Sequence, residues 1–291
     1  MPDLVIGLLH PGEMGAAVGG CLTEAGYTVG WASADRGPDT AARARRAGLS
    51  DAGTVAALAA RSDVIISVCP PHAAVEVARA VSARPPGDGR PAAGGFRGVF
   101  VDANAISPDT ARRVAGIVEA GGASYVDGGI IGPPSAEAGG TRLYLSGPRA
   151  GDIRDLFAGT RVDARVTDDR IGSASAVKMA YAAWTKGTAA LLLTARALAT
   201  AEGVQDALLA EWALSQPDLA DRTRRAARSA ARKGWRWVAE MEEIAGSMAA
   251  AGLPPGFGQA AAEVFRSQPR AAAGDEASPE AVVGALLART R

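Results

Sequence analysis

Cysteine is scarce. The 291 residues hold two, Cys21 and Cys69, each in an apolar setting and without metal-ligand spacing. That count argues against a disulfide framework and a cysteine-bound metal, and a reducing compartment is expected. Net charge is missing too. Lysine plus arginine and aspartate plus glutamate both number 31, so no global field points to nucleic acid or an acidic membrane surface. Long hydrophobic runs are absent: the longest apolar stretch, 188–200, is broken by Arg196 and is too short to span a bilayer. The first apolar run has no basic segment before it and soon meets a glycine turn. It reads as a strand rather than a signal peptide, and a cytoplasmic protein is expected.

What the chain does have is a strand, a tight turn and a helix at its start. Leu4-Val5-Ile6-Gly7-Leu8-Leu9 runs into His10-Pro11-Gly12-Glu13-Met14-Gly15, and an alanine-rich helical pattern follows. Glycines at such a turn let backbone approach a pyrophosphate, and the helix N-terminus adds N–H groups and a positive dipole end. His10 stands where the first glycine of G-x-G-x-x-G belongs, while Gly12 and Gly15 hold the other two places. The expectation is a dinucleotide-binding turn with His10, Pro11, Gly12, Glu13 and Met14 against the cofactor. At the end of the second strand an acid commonly holds the adenine ribose. Here Ser33 stands there, with Arg36 close behind. A small hydroxyl and an arginine suit a 2′-phosphate, so NADP is expected in preference to NAD; the alternative is that Asp35 takes the ribose.

Strand and helix patterns alternate to about residue 168, which implies an α/β, Rossmann-like, doubly wound parallel sheet over 1–168. The strand Asp63–Cys69 stops at Pro70, at the carboxyl end of the sheet where ligands of such folds sit. Cys69 and Pro70 either line the cofactor or only pack there. Asn104 lies just past the strand 99–102, where nicotinamide and substrate would meet, and Ser107 or Asp109 would cap the following helix. Residues 84–98 read as a Pro/Gly-rich loop. From 169 to 291 the pattern is all helical, with helices over 173–201, 208–215, 218–248, 255–265 and 279–288 and a polar link over 268–278.

Between a sheet half and a helical half a cleft is expected, and Lys178 is the candidate catalytic residue in it. It sits near the start of a helix whose next turns are apolar, a place disfavoured by the dipole and by desolvation. Either it serves chemistry or its stem packs and its amine reaches solvent. Tyr181 and Thr185 share its helical face, with Lys186 at the edge. Trp184 points elsewhere and belongs to core or interface. The helix 173–201 is apolar nearly all round, implying burial on most sides and association with another chain. Glu240 and Glu243 lie on one stripe of the long helix and Glu242 on another; they form a solvated acidic face, or one of the three faces the cleft and favours an amine-bearing substrate.

Four segments in this order, Ile6–Gly15, Asp127–Pro134, Lys178 with 181–187, and Trp235–Ile244, resemble the β-hydroxyacid dehydrogenase superfamily. That is the group of 3-hydroxyisobutyrate and 6-phosphogluconate dehydrogenases, here a branch with a distinct C-terminal helical domain. The resemblance implies an NAD(P)-dependent oxidoreductase acting on a small hydroxy acid or related carbonyl compound. It makes Lys178 the general acid in reduction and the general base in oxidation. It assigns Gly12, Glu13 and Met14 to the pyrophosphate turn and Asn104 to the vicinity of the nicotinamide. Gly128, Gly129 and Gly132 would belong to a substrate-binding turn, with Tyr181, Thr185 and Asn104 orienting the substrate. Two helical halves would pack into a homodimer. The chain departs from the pattern at Ile131, Pro133 and Ala182, where the family carries serine, glycine and asparagine; these changes remove polar groups and leave the substrate open. The alternatives are an imine reductase of the same architecture and a non-catalytic NADP(H)-binding protein.

Overall fold

The computed structural model describes residues 4–83, 95–134, 137–268 and 277–288. Much of the Pro/Gly-rich segment (84–94) and of the polar link (269–276) lies outside the described residues. The chain divides into two compact units, Met1–Lys178 and Met179–Arg291. The division falls inside a helix, after Lys178, rather than at the change of composition near residue 168.

The first unit opens with β1 (Val5–Leu9), α1 (Glu13–Glu24), β2 (Thr28–Trp31), α2 (Pro38–Arg46), the two-residue β3 (Ser50–Asp51) and α3 (Val55–Ala59). Then come β4 (Val64–Ser67), a 3-10 turn Pro71–Ala73, α4 (Ala74–Ser82), β5 (Val99–Asp102) and α5 (Pro108–Ala120). β6 (Ser124–Ile131), β7 (Thr141–Ser146), α6 (Ala150–Leu156) and β8 (Val162–Val166) complete the sheet. Its strand order is β3-β2-β1-β4-β5-β6-β7-β8. β4 and β5 are buried throughout, as parallel strands covered on both faces must be. Alternate residues feed two cores: Ile6, Leu8, Ile66, Val101 and Val126 on one face, Leu9, Ile65, Phe100 and Tyr125 on the other. Ser107 caps α5, accepting from the Thr110 N–H at 3.2 Å.

The sheet is parallel except at one place. β7 runs antiparallel to β6, because the connection 132–140 is too short for the crossover a parallel neighbour needs. A second difference concerns the expected substrate-binding turn. Gly128, Gly129, Ile130 and Ile131 continue β6, and the chain turns only at Gly132, whose φ of 107° suits glycine.

The helix α7 (Ser173–Ala201) runs from the first unit into the second, which also holds α8 (Gln205–Ser215), α9 (Leu219–Ala250), α10 (Gly256–Arg266) and α11 (Pro279–Ala288). α9 and α10 approach closely through small residues: a Cβ on Gly258 would stand 2.9 Å from Ala245. Trp237 meets Phe265 edge-on with centroids 5.0 Å apart. The buried Arg196 donates to Glu280 at 2.9 Å and Gln205 at 3.2 Å, tying α7 to α11. The expected burial of α7 on most sides does not hold within one chain. Trp184, Leu191 and Leu198, spaced by seven residues, are 68%, 67% and 64% exposed, because none of the described elements of the second unit covers that face. Among the described residues no helix is long and apolar enough to cross a membrane.

Candidate functional site at the carboxyl edge of the sheet

Strand register places the candidate residues of the first unit. Leu9 pairs with Ser67, Ser67 with Asp102 and Asp102 with Asp127, so four parallel strands reach one edge together. Just beyond that row come His10 to Met14, Cys69 and Pro70, Asn104, and the end of β6. Parallel pairing thus brings residues far apart in sequence to the edge where open α/β sheets bind ligands.

The glycine turn keeps its backbone form without its first glycine. His10 adopts φ 64°, a left-handed conformation that strains a side-chain-bearing residue, and the Gly12 N–H donates to the His10 carbonyl at 2.7 Å. A Cβ on Gly15 would lie 2.4 Å from that carbonyl, so this glycine is required by packing of helix on turn. Gly12 differs. A Cβ there would meet no protein atom within 4 Å, and its φ of −68° suits any residue. Nothing in the chain demands glycine at that point, whereas a pyrophosphate against the backbone would. No side chain caps α1, which leaves its N-terminal N–H groups for an anion.

The imidazole of His10 is held down to about pKa 4, first by burial and then by Arg36, and its buried Nδ1 has no hydrogen-bond partner. It is neutral at physiological pH. The charge of Arg36 acts on both His10 and Cys69. The Ser33 hydroxyl bonds to Asp51, which this contact and then the Gly53 N–H hold below the usual carboxylate range. Asp51 went unnoticed in the sequence because two-residue β3 carries no periodicity. Arg43, read as part of a basic surface helix, bonds through Nε to the Pro11 carbonyl at 3.3 Å and so braces the turn from α2.

Burial, and then Asp102, push the Cys69 thiol up to about 12. It is a protonated side chain with no nucleophilic part at neutral pH. Asn104 is 2% exposed. Its Oδ1 accepts from the Cys69 N–H at 2.5 Å, its Nδ2 donates to the Ser67 hydroxyl at 3.3 Å, and its own N–H donates to Asp102 at 3.0 Å. The carboxamide is therefore occupied in clamping the ends of β4 and β5 together, rather than open to a substrate.

Lys178 is placed by a buried carboxylate. Asp127 Oδ2 accepts from the Gly172 N–H at 3.0 Å, the Ser175 N–H at 2.9 Å and the Ser146 hydroxyl at 3.0 Å, and Oδ1 from the Ser175 hydroxyl at 2.6 Å. An anion at a helix N-terminus answers orphan N–H groups and the dipole together. This one pins the first turn of α7 onto β6. A Cβ on Gly129 would stand 2.8 Å from the Ala174 carbonyl and 2.9 Å from Lys178 Cβ, so glycine is what allows the helix so close. One turn on, Lys178 Nζ donates to the Ile130 carbonyl at 2.7 Å. Burial alone lowers this lysine to about 8, within reach of proton transfer near neutrality.

Tyr181 and Thr185 belong to the second unit. Tyr181 is half exposed, and the Thr185 hydroxyl donates back to the Tyr181 carbonyl at 3.1 Å. Glu240 is paired with Lys186. Among the described residues no cluster of histidine, cysteine and carboxylates could hold a metal ion.

Comparison with known proteins agrees with the fold. A curated relative, an uncharacterized 28.5 kDa protein of Methanothermus fervidus, is 28% identical over 152 residues, 52% of this chain and 54% of its own. The chain thus matches that relative over about half its length. A conserved hypothetical protein of Sinorhizobium meliloti superposes with a TM-score of 0.70 at 24% identity, over 99% of this chain and 97% of that one. The 3-hydroxyisobutyrate dehydrogenase of Mycobacterium tuberculosis gives 0.68 at 19% identity, over 98% and 99%. A reductive aminase of Aspergillus terreus, solved with NADPH, gives 0.57 at 20%, over the full length of both. At these identities the structures share the fold. Residues 199–268 match a domain of unknown function. Residues 5–154, over half of the chain, match the NAD-binding domain of 6-phosphogluconate dehydrogenase, and to that family the chain belongs.

Proposed function

We propose that the protein is an NADP(H)-dependent oxidoreductase that interconverts a carbonyl and an alcohol on a small hydroxy acid or related compound, with Lys178 as general acid and base. The observation that carries this is Lys178 itself, a lysine without an acidic partner, brought down to about 8 by burial and fixed at the Ile130 carbonyl beyond the sheet edge. Gly12 and the uncapped end of α1 would hold the pyrophosphate, and Arg36 with Ser33 the 2′-phosphate. Cys69 and Pro70 would border the cofactor, which supplies hydride chemistry when bound. Lys178 gives its proton to the carbonyl oxygen as negative charge builds there, and in the reverse direction its free amine takes the hydroxyl proton. Asn104 serves as a positioning residue, keeping the Cys69 backbone in place. Tyr181 and Thr185 would orient the substrate.

Imine reduction is the less favoured reading, because Lys178 is a proton donor suited to the alcohol/ketone side, and because Glu240 is paired with Lys186 and Glu242 with Arg266. Both cysteines are free, in keeping with a reducing, cytoplasmic setting. Leu191 and Leu198, exposed one heptad apart on α7, supply a self-complementary apolar stripe for a homodimer through the helical unit.

The test is a titration of NADPH and NADH by nicotinamide fluorescence, followed by a panel of carbonyl compounds with wild type and Lys178→Ala. Tight NADPH binding and turnover that collapses in the variant are expected. Turnover unchanged in Lys178→Ala overturns the catalytic assignment. Cofactor binding with no turnover on any carbonyl or imine leaves a nucleotide-binding protein, and binding of neither nucleotide would mean that His10 has disabled the turn.

A further inference from the structure

Between α7 and α9, entirely within the second unit, lies a groove of about 380 Å³. Trp184, Thr185 and Lys186 line it from α7; Arg222, Arg225 and Trp237 line it from α9, with Ser229 between them in sequence. The charge of this groove is one-sided by sequence. α7 contains no aspartate or glutamate at all. α9 has none between Asp221 and Glu240, an interval that carries Arg222, Arg224, Arg225, Arg228, Arg232, Lys233 and Arg236. Lys186 is neutralised by Glu240 and lies 5.8 Å from the Trp237 ring centroid. The two arginines are not neutralised in the same way. Among the described residues Arg222 has only the exposed Asp218 at 3.8 Å, and Arg225 makes no ion pair or hydrogen bond.

We propose that this groove binds a small organic anion with a planar apolar body, an aromatic carboxylate being the simplest member of the class. Arginine presents a planar fork that matches a carboxylate with two parallel hydrogen bonds. Tryptophan faces cover an apolar ring, and Trp184 from α7 and Trp237 from α9 both line the groove. The volume falls in the range of small-molecule sites, about 300–1,000 Å³. Arg222, Arg225 and Ser229 follow one another on a single face of α9, so the polar contacts are aligned by one rigid element. The inference rests on the oxidoreductase reading only through Thr185, which lines the groove and is also assigned to the substrate; occupancy of the groove can be read without cofactor or turnover, so the two can fail separately.

The experiment is a titration of the full chain with benzoate, its neutral isostere benzamide, inorganic phosphate and a short oligonucleotide, followed by intrinsic tryptophan fluorescence. Saturable quenching by benzoate is expected, with benzamide weaker by about tenfold or more because it lacks the charge-assisted pair. Trp184→Phe should remove most of the signal, and Arg222→Gln/Arg225→Gln should weaken benzoate by about tenfold or more. Should the double variant fail to fold, Arg225→Gln alone carries the test, since Arg225 makes no contact the fold depends on. Equal binding of benzoate and benzamide, benzoate binding unchanged by the arginine variants, or absence of any saturable change overturns the proposal. Tighter binding of phosphate or of the oligonucleotide than of benzoate also overturns it, by assigning the groove to an inorganic anion or a nucleic acid.

Discussion

The two units of the chain bury their side chains differently. In the first, Val166 is the one large hydrophobic side chain left exposed among the described residues; all the others, from Tyr181 to Phe257, belong to the second. The first unit also encloses a set of polar groups, Ser67, Asp102, Asn104, Asp127, Ser146 and Ser175, grouped at the carboxyl edge of the sheet and its junction with α7. A sheet covered on both faces satisfies itself, and what it leaves open is at its carboxyl edge, where a Cβ on Gly12 would meet no protein atom within 4 Å. Helices joined largely through alanine and glycine cannot cover their own large side chains. What remains unfilled there is a face, on the stripe of α7 and in the basic groove beside it.

The largest effect expected is on chemistry. Lys178→Ala should lower turnover by about two to four orders of magnitude with NADPH affinity nearly intact, because proton transfer and nucleotide binding use different atoms. In wild type, carbonyl reduction should fall as pH rises through about 8, where Lys178 loses its proton, and alcohol oxidation should rise over the same interval. Rate profiles in both directions check the sign, and parallel profiles would break the assignment.

The next effect falls on stability. Asp127→Ala strands two backbone N–H groups and two hydroxyls in the interior, and should cost about 3 kcal/mol or more by thermal or urea unfolding. Gly12 and Gly258 then sharpen the contrast between the units. Gly12→Ala should leave the melting temperature unchanged and weaken NADPH by about tenfold or more, since no protein atom lies within 4 Å of the added Cβ and a bound pyrophosphate would. Gly258→Ala should do the reverse, because its Cβ would meet Ala245 at 2.9 Å in a unit with no part in the nucleotide turn. A melting temperature lowered by Gly12→Ala would remove the case for a ligand-shaped cradle.

Smaller effects remain. Leu191→Glu/Leu198→Glu should convert a dimer to a monomer by light scattering while each chain stays folded, as both side chains are already exposed within one chain. Arg36→Ala should reduce the preference for NADPH over NADH by about tenfold, with NADH affinity unchanged. If instead both nucleotides weaken equally, the guanidinium serves the shared part of the cofactor.

Much of this was legible in the residues. The runs at β1, β4 and β5 announce buried parallel strands, and α7 and α11 begin and end where their periodic patterns do. Ser107 appears as a cap because a hydroxyl stands just before a helical run. The candidate turn at His10–Gly15 and the lysine at 178 were visible for the same reason, as local departures from bland composition. Less local features were hidden. β3 is two residues long, β7 owes its direction to a short connection, and the glycines after Asp127 extend a strand where a turn was expected.

Sequence by itself determined the alternation of strand and helix, the two-part organisation, and which residues could carry chemistry, because periodicity, turn residues and charge act over a few neighbouring positions. Tertiary structure decided where those residues stand and what they touch. Only register could align Leu9, Ser67, Asp102 and Asp127 on one edge. Only packing could show that Gly15 and Gly129 serve the fold while Gly12 is left open, that Asn104 clamps two strands, and that Glu240 is spent on Lys186. Each of these depends on a contact between positions distant along the chain, and a hydrogen bond or a steric limit exists only once both partners are in place.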